Sequence, residues 1–558
     1  MSTPSDLPLH RLIASLLVVR ASGFLADHQR RYPRWELPNG ELRMLLEQGL
    51  GGVILLGGSA AEVALRCRQL QDWAARPLLL CADVEEGVGQ RFEGASWLVP
   101  PLALGRLYRH DPGQALDLAQ RYGRCCGRDA RRLGLNWLLA PVCDVNNNPA
   151  NPVINVRAFA EEPAAAAALA TAFIRGARAT GVLTCAKHFP GHGDTSSDSH
   201  LELPVLPHSR SRLEAVELPP FAAAIAAGVS SVMTAHLMLP ALDPERPATL
   251  SGAVLRQLLR SELGFEGLVV TDALVMEAIA GRYGAGEAAV LALEAGADLV
   301  LMPADASAAL AAIAAAVASG RLSRSELERS ADRRNQALAV LAADPVQPDP
   351  LAAAQPDTDL IAALLRASLE RRGGQLPGGA DRATATGLNL IRLDDCLSAP
   401  FLPADAPALA MPWRRGFSPC LLDRHGPSPW SGDQQTPLAL ERLGAGPVLL
   451  QLFIRGNPFR GSAGGGEPWA AAVQQLLAAD RLAGLAVYGS PYLWEELRQL
   501  LPDRLPAAYS PGQMPAAQRT VLESLGLAPA PGQGDSPTDG SAPDAQPVDG
   551  GAQRGPAT

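Results

Sequence analysis

The stretch VLTCAKHFPGHG, residues 182–193, carries the pattern from which the fold can be predicted. Its first part is short, apolar and rich in β-forming residues, as expected of a buried strand. Lys187 and His188 stand at the end of this strand, and Pro190 and Gly191 then prevent regular structure. The stretch therefore predicts a buried strand that ends in polar side chains and leads into a loop.

Seven further runs of this kind occur in the first 305 residues, separated by longer Ala-, Leu-, Arg- and Glu-rich segments of helical character. The predicted strands lie at residues 13–19, 52–57, 78–84, 136–145, 231–239, 268–274 and 299–303. Together with the first stretch they make a βα repeat with the eight strands that a closed parallel barrel requires. We therefore predict an α/β protein with an N-terminal (β/α)8-type TIM barrel.

Several of these runs turn from apolar to polar at their C-terminal ends. In a parallel barrel those ends share one face, which is where active sites are built. Each polar residue could instead merely cap its own strand, but several doing so together favour a single pocket. The residues concerned are Asp83, Asp144, Lys187 with His188, His236 and Asp272.

The rest of the chain divides into three parts. After a barrel domain at 1–345, a Pro- and Asp-rich linker is predicted at 346–358. Strand-like runs then predict a smaller C-terminal α/β open-sheet domain at 359–527. Residues 528–558 are mostly Gly, Pro, Ser, Asp and Gln, with too few large apolar side chains to build a core, so a disordered tail is predicted.

Composition excludes several classes of protein. The net charge of -9 argues against a general nucleic-acid binder, because phosphate affinity comes from clustered Lys and Arg. No apolar stretch approaches the ~20 residues of a membrane span, and residues 12–19 lack the flanks of a secretory signal. The eight cysteines have no metal-ligand spacing. We expect a cytoplasmic protein with reduced thiols that binds neither membrane nor nucleic acid and uses no cofactor.

The densest group of reactive side chains lies in KHFPGHGDTSSDSH, residues 187–200. It could be a metal site drawn from His188, His192, Asp194, Asp198 and His200, although no fixed ligand spacing appears. It could also be a loop whose polar groups only satisfy one another. A sugar-binding and proton-transfer loop is favoured, because a carboxylate two residues from a histidine can hold one ring nitrogen while the other faces a substrate.

This loop, together with LGFEGLVVTDALVMEAI at residues 263–279, resembles glycoside hydrolase family 3, specifically its β-N-acetylglucosaminidase (β-N-acetylhexosaminidase) branch, over most of residues 40–305. The resemblance implies that Asp272 is the nucleophile and that Asp198 and His200 form the general acid/base dyad. A carboxylate suits this role, because an oxocarbenium-like transition state favours negative charge beneath the anomeric carbon. The alternative is that Asp272 caps the next helix.

Two further segments extend the resemblance, DVEEGVGQRF at 83–92 and NPANPVINVRAF at 148–159. They imply that Asp83 binds sugar hydroxyls, that Arg91 helps to hold the sugar and that Arg157 lies in the pocket. The resemblance also implies that Lys187 and His188 hydrogen-bond sugar hydroxyls. Either arginine could instead form a surface salt bridge, which is the commoner role of arginine.

The chain departs from the family pattern at two positions. Glu86 follows Glu85 where Gly is usual, and Asn155 stands where Gly is common. Both changes alter the loops near the sugar. His236 matches a family position near the site, or is a core histidine.

The resemblance implies a retaining exo-acting enzyme that hydrolyses terminal β-linked N-acetylhexosamine, as in cell-wall muropeptide recycling, with a small carbohydrate as substrate and no metal in the site. Alternatives within the family are a β-glucosidase or β-xylosidase and a glycoside phosphorylase. A metal-dependent hydrolase and an inactive carbohydrate-binding regulatory protein are the alternatives from other classes.

Overall fold

Eight parallel strands form a barrel in the N-terminal part of the protein, whose computed structural model describes residues 3–199, 201–342, 348–349, 355–376, 387–393, 402–422, 428–455 and 466–527. The strands pair in the orders β4-β3-β2-β1-β8 and β5-β6-β7. Parallel bridges from Trp137 to Leu183 and from Val270 to Leu299 join the two sheets, so the predicted barrel is confirmed. The strands are β1 (Leu17–Ser22), β2 (Gly52–Leu56), β3 (Leu79–Ala82), β4 (Trp137–Leu138), β5 (Cys185–Phe189), β6 (Ser231–Thr234), β7 (Leu268–Val270) and β8 (Val300–Leu301).

Helices pack around the barrel and bury their apolar faces in one continuous core with the strands. A π-helical segment, Ala253–Glu262, lies between β6 and β7. The helices of this part are α1 (Leu9–Ala14), α2 (Asn39–Glu47), α3 (Ala60–Trp73), α4 (Leu102–Tyr108), α5 (Pro112–Leu133), α6 (Pro163–Arg178), α7 (Arg210–Ala215), α8 (Pro219–Ala226), α9 (Glu277–Tyr283), α10 (Ala285–Ala295), α11 (Ala306–Ala318) and α12 (Arg324–Ala342).

The pair α5 and α6 shows how the sequence places a helix. Asp111 caps α5 by accepting a hydrogen bond from the Gln114 amide, and Gly134, with φ of 86°, ends it in the left-handed conformation. Where the two helices cross, a Cβ on Gly176 would lie 1.9 Å from the Gln120 carbonyl oxygen. Only glycine permits this close approach of the two helices.

The C-terminal part is a separate open sheet of six strands in the order β11-β10-β12-β13-β14-β9, with only β9 antiparallel. Two apolar clusters, one on each face, bury it between helices. The predicted open-sheet domain is confirmed. Its strands are β9 (Glu370–Arg372), β10 (Gly387–Leu393), β11 (Phe417–Leu422), β12 (Val448–Ile454), β13 (Leu482–Gly489) and β14 (Ala507–Ser510), and its helices are α13 (Thr358–Ser368), α14 (Pro407–Trp413), α15 (Trp469–Ala478), α16 (Pro491–Leu500) and α17 (Pro515–Ser524).

The first strand begins later than predicted. Residues 13–14 belong to α1, and β1 starts at Leu17. The apolar residues Ile13 and Ala14 are buried whether they belong to a helix or to a strand, so burial alone could not separate the last turn of the helix from the start of the strand. The predicted disordered tail at 528–558 lies outside the described residues.

Among the helices in the described ranges, none combines the length and the apolar character needed to cross a bilayer.

Candidate active site

Two pairs of the polar residues that follow the strands are in direct contact at the C-terminal face of the barrel, Asp83 with Lys187 and Asp144 with His188. The ammonium of Lys187, a residue within β5, lies 2.8 Å from Asp83 Oδ1 and 2.6 Å from Glu85 Oε1, just beyond β3. Glu85 in turn accepts two hydrogen bonds from Arg157, at 2.7 and 2.8 Å. This charge cluster, Asp83, Lys187, Glu85 and Arg157, ties three loops of the barrel together.

Exposure distinguishes the members of the charge cluster. The Lys187 and Glu85 side chains are each 1% exposed, whereas the Asp83 side chain is 34% exposed. Arg157 is 12% exposed and forms a buried ion pair, in contrast to the surface salt bridge that was the alternative. Asp83 is therefore the member of the cluster that most readily meets a ligand.

Mutual attraction keeps the charge cluster ionised in spite of its burial. Burial would raise the pKa of the Glu85 carboxyl, but Arg157 and Lys187 outweigh burial and hold that pKa well below its usual range. Burial would likewise lower the pKa of Lys187, but Asp83 and Glu85 hold it above its usual value. The side chains therefore carry fixed charges at neutral pH.

Arg91 supports Asp83 through the backbone. Its Nε donates to the Asp83 carbonyl oxygen at 3.0 Å, which folds the loop after β3 back on itself. Gly89 lies inside this loop, where a Cβ would come within 2.3 Å of the Ala95 carbonyl oxygen. The loop is thus held from both ends in one conformation.

A second group of contacts surrounds Asp144, beyond β4. Its carboxylate accepts from the backbone amides of His188, at 3.1 Å, and His192, at 2.7 Å, and contacts His188 Nδ1 at 2.8 Å. Burial would raise the pKa of Asp144, but His188 and His192 together outweigh burial and hold that pKa below its usual value. Because an ionised carboxylate can only accept, His188 Nδ1 carries a hydrogen, and Nε2 is the ring nitrogen that Asp144 leaves available.

His192 holds the loop that carries Asp198. Its Nδ1 lies 2.9 Å from Thr195 Oγ1 and its Nε2 lies 3.0 Å from Ser199 Oγ. Burial lowers the pKa of His192 to about 4, so the ring is neutral at physiological pH. Both nitrogens are engaged within the loop, which supports a structural role for this histidine.

The proposed reacting residues are placed as follows. Asp272 is half-buried two residues beyond β7, and its Oδ1 accepts from the Ala273 amide at 2.7 Å. Its field acts on His192, which also interacts with Asp144. Asp198 is buried, and its carbonyl oxygen accepts from the Leu201 amide at 2.9 Å. His200 lies outside the described residues, and its role stays a prediction.

The alternative that Asp272 caps the next helix is wrong. Helix α9 begins at Glu277, and Met276 occupies its N-cap position. His236 is fully buried, with Nε2 3.1 Å from the Ala273 carbonyl oxygen and Nδ1 2.8 Å from Thr249 Oγ1. It therefore supports the segment that carries Asp272.

The metal interpretation of the loop fits poorly with these contacts. Of the possible ligands that the structure describes, which leave out His200, Asp194 alone joins a compact cluster, in which ligand atoms of Asp194, His208 and Glu217 lie within 4.8 Å of one another. Arg212 reaches both carboxylates of this cluster, at 2.5 Å from Glu217 and 3.3 Å from Asp194. A guanidinium thus already supplies the positive charge there.

One residue central to the site, Glu85, was not among the residues that the sequence placed in the pocket. Asp144 was placed there, since it stands at a strand end like Asp83, but no role was predicted for it. Glu85 carried no such signal, because adjacent acids after a strand are common in exposed turns. Only the burial of Lys187 against it identifies Glu85 as part of the site.

Two family models match the chain. One, described as the Glycosyl hydrolase family 3 N terminal domain, matches residues 12–336, and the other, the Bacterial Glycosyl hydrolase family 3 C-terminal domain, matches residues 381–526. The chain therefore belongs to glycosyl hydrolase family 3, a class of enzymes that cleave glycosidic bonds.

Similar proteins include bacterial hexosaminidases. Beta-hexosaminidase from Stenotrophomonas maltophilia (strain K279a) is 38% identical over 271 residues, covering 48% of this chain and 80% of that protein. Beta-hexosaminidase A from Pseudoalteromonas piscicida is 37% identical over 289 residues, and the match covers 48% of each protein. A solved glycoside hydrolase family 3 beta-N-acetylglucosaminidase from Paenibacillus sp. str. FPU-7 has a TM-score of 0.73 at 30% identity, covering 93% of this chain and 97% of that chain.

The charge cluster generates a prediction about stability. We expect Glu85→Gln to lower the melting temperature at pH 7 by about 5 °C or more, because removing one partner of a buried ion pair costs about 3 kcal/mol. Calorimetry measures the shift. Glu214→Gln is the control, since the exposed pair of Glu214 and Arg210 contributes little.

The difference in melting temperature between Glu85→Gln and the wild type should shrink in acid. The folded-state pKa of Glu85 lies below that of the unfolded chain, so its stabilisation is complete above roughly pH 5 and is lost as the pH falls further. The two melting temperatures should therefore keep their separation from pH 7 to about pH 5 and draw together only as the pH falls below that value. A separation that disappears above about pH 5 would contradict the ion-pair assignment.

Proposed function

We propose that the protein is a retaining, exo-acting β-N-acetylglucosaminidase that removes terminal β-linked N-acetylhexosamine. One observation carries the proposal: the carboxylate of Asp272 follows β7 on the barrel face that also bears the charge cluster. A nucleophilic carboxylate beside groups that hold hydroxyls is what hydrolysis through a glycosyl-enzyme intermediate needs. The names of the similar hexosaminidases support the choice of N-acetylhexosamine.

The proposed reaction has two steps. Asp272 attacks the anomeric carbon and forms a glycosyl ester, while protonated His200 donates its proton to the departing oxygen. Water then attacks the same carbon with His200 as the base, which breaks the ester and releases the sugar with its configuration retained. Asp198 holds the imidazole of His200 in the required orientation.

We assign substrate binding to the polar and charged side chains in and around the charge cluster. The partly exposed Asp83 carboxylate accepts hydrogen bonds from sugar hydroxyls, and Lys187, held by two carboxylates, donates its third N–H. His188 offers Nε2, since Asp144 engages Nδ1. Arg157 and Arg91 orient Glu85 and Asp83 and complete the positive lining.

The natural substrates we propose are fragments of cell-wall peptidoglycan, taken up for recycling. A disaccharide of N-acetylglucosamine linked to N-acetylmuramic acid should be cleaved into its two sugars, which chromatography of the products can follow. A disaccharide with N-acetylmuramic acid at the non-reducing end is the control and should remain intact.

A chromogenic substrate panel tests the sugar preference. We expect nitrophenyl N-acetyl-β-glucosaminide to be cleaved with a kcat/KM at least ~10²-fold above that of the β-glucoside and the β-xyloside. A site that hydrogen-bonds the acetamido group would leave its own polar groups without partners when a sugar without that group binds. Added phosphate should not change the rate. Faster cleavage of the glucoside, or release of a sugar phosphate, would overturn the assignment.

The nucleophile can be trapped. A fluorinated N-acetylglucosaminyl analogue that slows the second step should leave one sugar covalently attached to the peptide containing Asp272, as seen by mass spectrometry. Asp272→Asn should remove both the adduct and turnover, by about 10⁴-fold or more. Glu277→Gln, an exposed acid five residues further on, is the control and should label normally.

The acid/base role of His200 predicts a dependence on the leaving group. His200→Ala should slow hydrolysis of an alkyl N-acetylglucosaminide by about 10²–10⁴-fold but affect a dinitrophenyl leaving group much less at its first step, because that group departs without a proton. His28→Ala, an exposed histidine, is the control. Equal losses with both leaving groups would count against His200 as the acid.

A further inference from the structure

The loop that carries Asp83 and Glu85 is also held by the C-terminal domain. Arg455, directly after β12, reaches Glu86 with both guanidinium ends, Nη2 to Oε1 at 2.6 Å and Nη1 to Oε2 at 3.0 Å. The two side chains are 8% and 1% exposed. A bidentate pair of this kind fixes direction as well as distance.

The pair lies in the middle of the loop after β3. The Glu86 carbonyl oxygen accepts from the Leu98 amide at 2.8 Å, and its own amide donates to Gln90 Oε1 at 3.3 Å. Trp97 Nε1 lies 3.4 Å from the Glu86 carboxylate. Because Glu85 precedes Glu86, a displacement of one residue moves the other, and with it the partner of Lys187.

Charge balance explains why the pair matters for the site. The loop brings three carboxylates together, those of Asp83, Glu85 and Glu86. Lys187 and Arg157, both from the barrel, pair with Asp83 and Glu85, and Arg91 adds positive charge near both carboxylates. Arg455 is the cation that pairs with Glu86, and without it the Glu86 carboxylate would be a buried charge that has lost its ion-pair partner.

A second contact joins the C-terminal domain to the neighbouring loop. The Tyr492 hydroxyl, on α16, donates to Glu161 Oε1 at 2.6 Å and accepts from Asn146 Nδ2 at 2.8 Å. Asn146 stands two residues beyond Asp144, which holds His188 and His192. The C-terminal domain thus contacts both loops that position the sugar-binding groups.

We propose that Arg455 is a positioning residue of the active site, through which the C-terminal domain fixes the loop of Asp83 and sets the affinity for the sugar. Arg455 acts through Glu86 and is not assigned any contact with substrate. The inference rests on the proposed function in one respect, that Asp83 binds sugar hydroxyls.

The test compares Arg455→Met with Glu495→Gln in the full chain. Glu495 also joins the two domains, through Arg106, but touches neither loop. With nitrophenyl N-acetyl-β-glucosaminide, Arg455→Met should raise KM about 10-fold or more with a smaller fall in kcat, whereas Glu495→Gln should leave both unchanged. Equal KM values for wild type and Arg455→Met, or equal effects of the two substitutions, would overturn the inference.

Two further variants separate positioning from general stability. Arg455→Lys keeps the charge and should recover part of the affinity. The double variant Arg455→Met with Glu86→Gln removes both charges and should bind substrate better than Arg455→Met alone, since no buried carboxylate is left unbalanced. If neither recovers affinity although both fold with wild-type melting temperatures, the positioning role is refuted.

Amide hydrogen exchange on the free protein needs no turnover and so distinguishes this inference from the proposed function. Arg455→Met should speed exchange at residues 83–91 relative to wild type and to Glu495→Gln. Unchanged exchange there would refute the inference even if the enzyme cleaves N-acetylglucosaminides. Faster exchange in a protein that fails to cleave them would support the inference about the loop and refute the activity.

Discussion

A lysine ammonium buried between two carboxylates is the constraint on which the candidate site depends. An isolated ammonium could not remain charged in the barrel interior, so Lys187 requires Asp83 and Glu85 at close range. That requirement fixes β5 against the loop after β3, and Glu85 in turn requires Arg157 as a partner. The two side chains that we propose to bind sugar, Asp83 and Lys187, are in this way held by neighbouring charges.

The Asp144 carboxylate holds the residues that follow Lys187 in β5. It accepts from two backbone amides and one ring nitrogen, so the chain from His188 to His192 must turn around it. This turn leads into the loop that carries Asp198. The two arrangements differ in kind, since one balances opposite charges and the other satisfies backbone amides with a single anion.

Much of the barrel could be predicted from the sequence, because short apolar runs that end in polar residues have few other interpretations in a βα repeat. The same rule placed Asp83, Lys187 and Asp272 on one face, because the C-terminal ends of all parallel strands lie at the same face of a barrel. It could not find Arg455, which is separated from Glu86 by 369 residues and belongs to another domain. Nor could it separate the end of α1 from the start of β1, where both structures bury the same side chains.

The neutral His192 has a consequence for tolerance of acid. In an unfolded chain this ring is protonated below roughly pH 6.5, whereas in the folded protein its pKa is about 4. Mild acidification therefore favours opening of the loop around His192 before most carboxylates have begun to titrate. A residue with no assigned part in bond cleavage thus makes the order of this loop sensitive to pH.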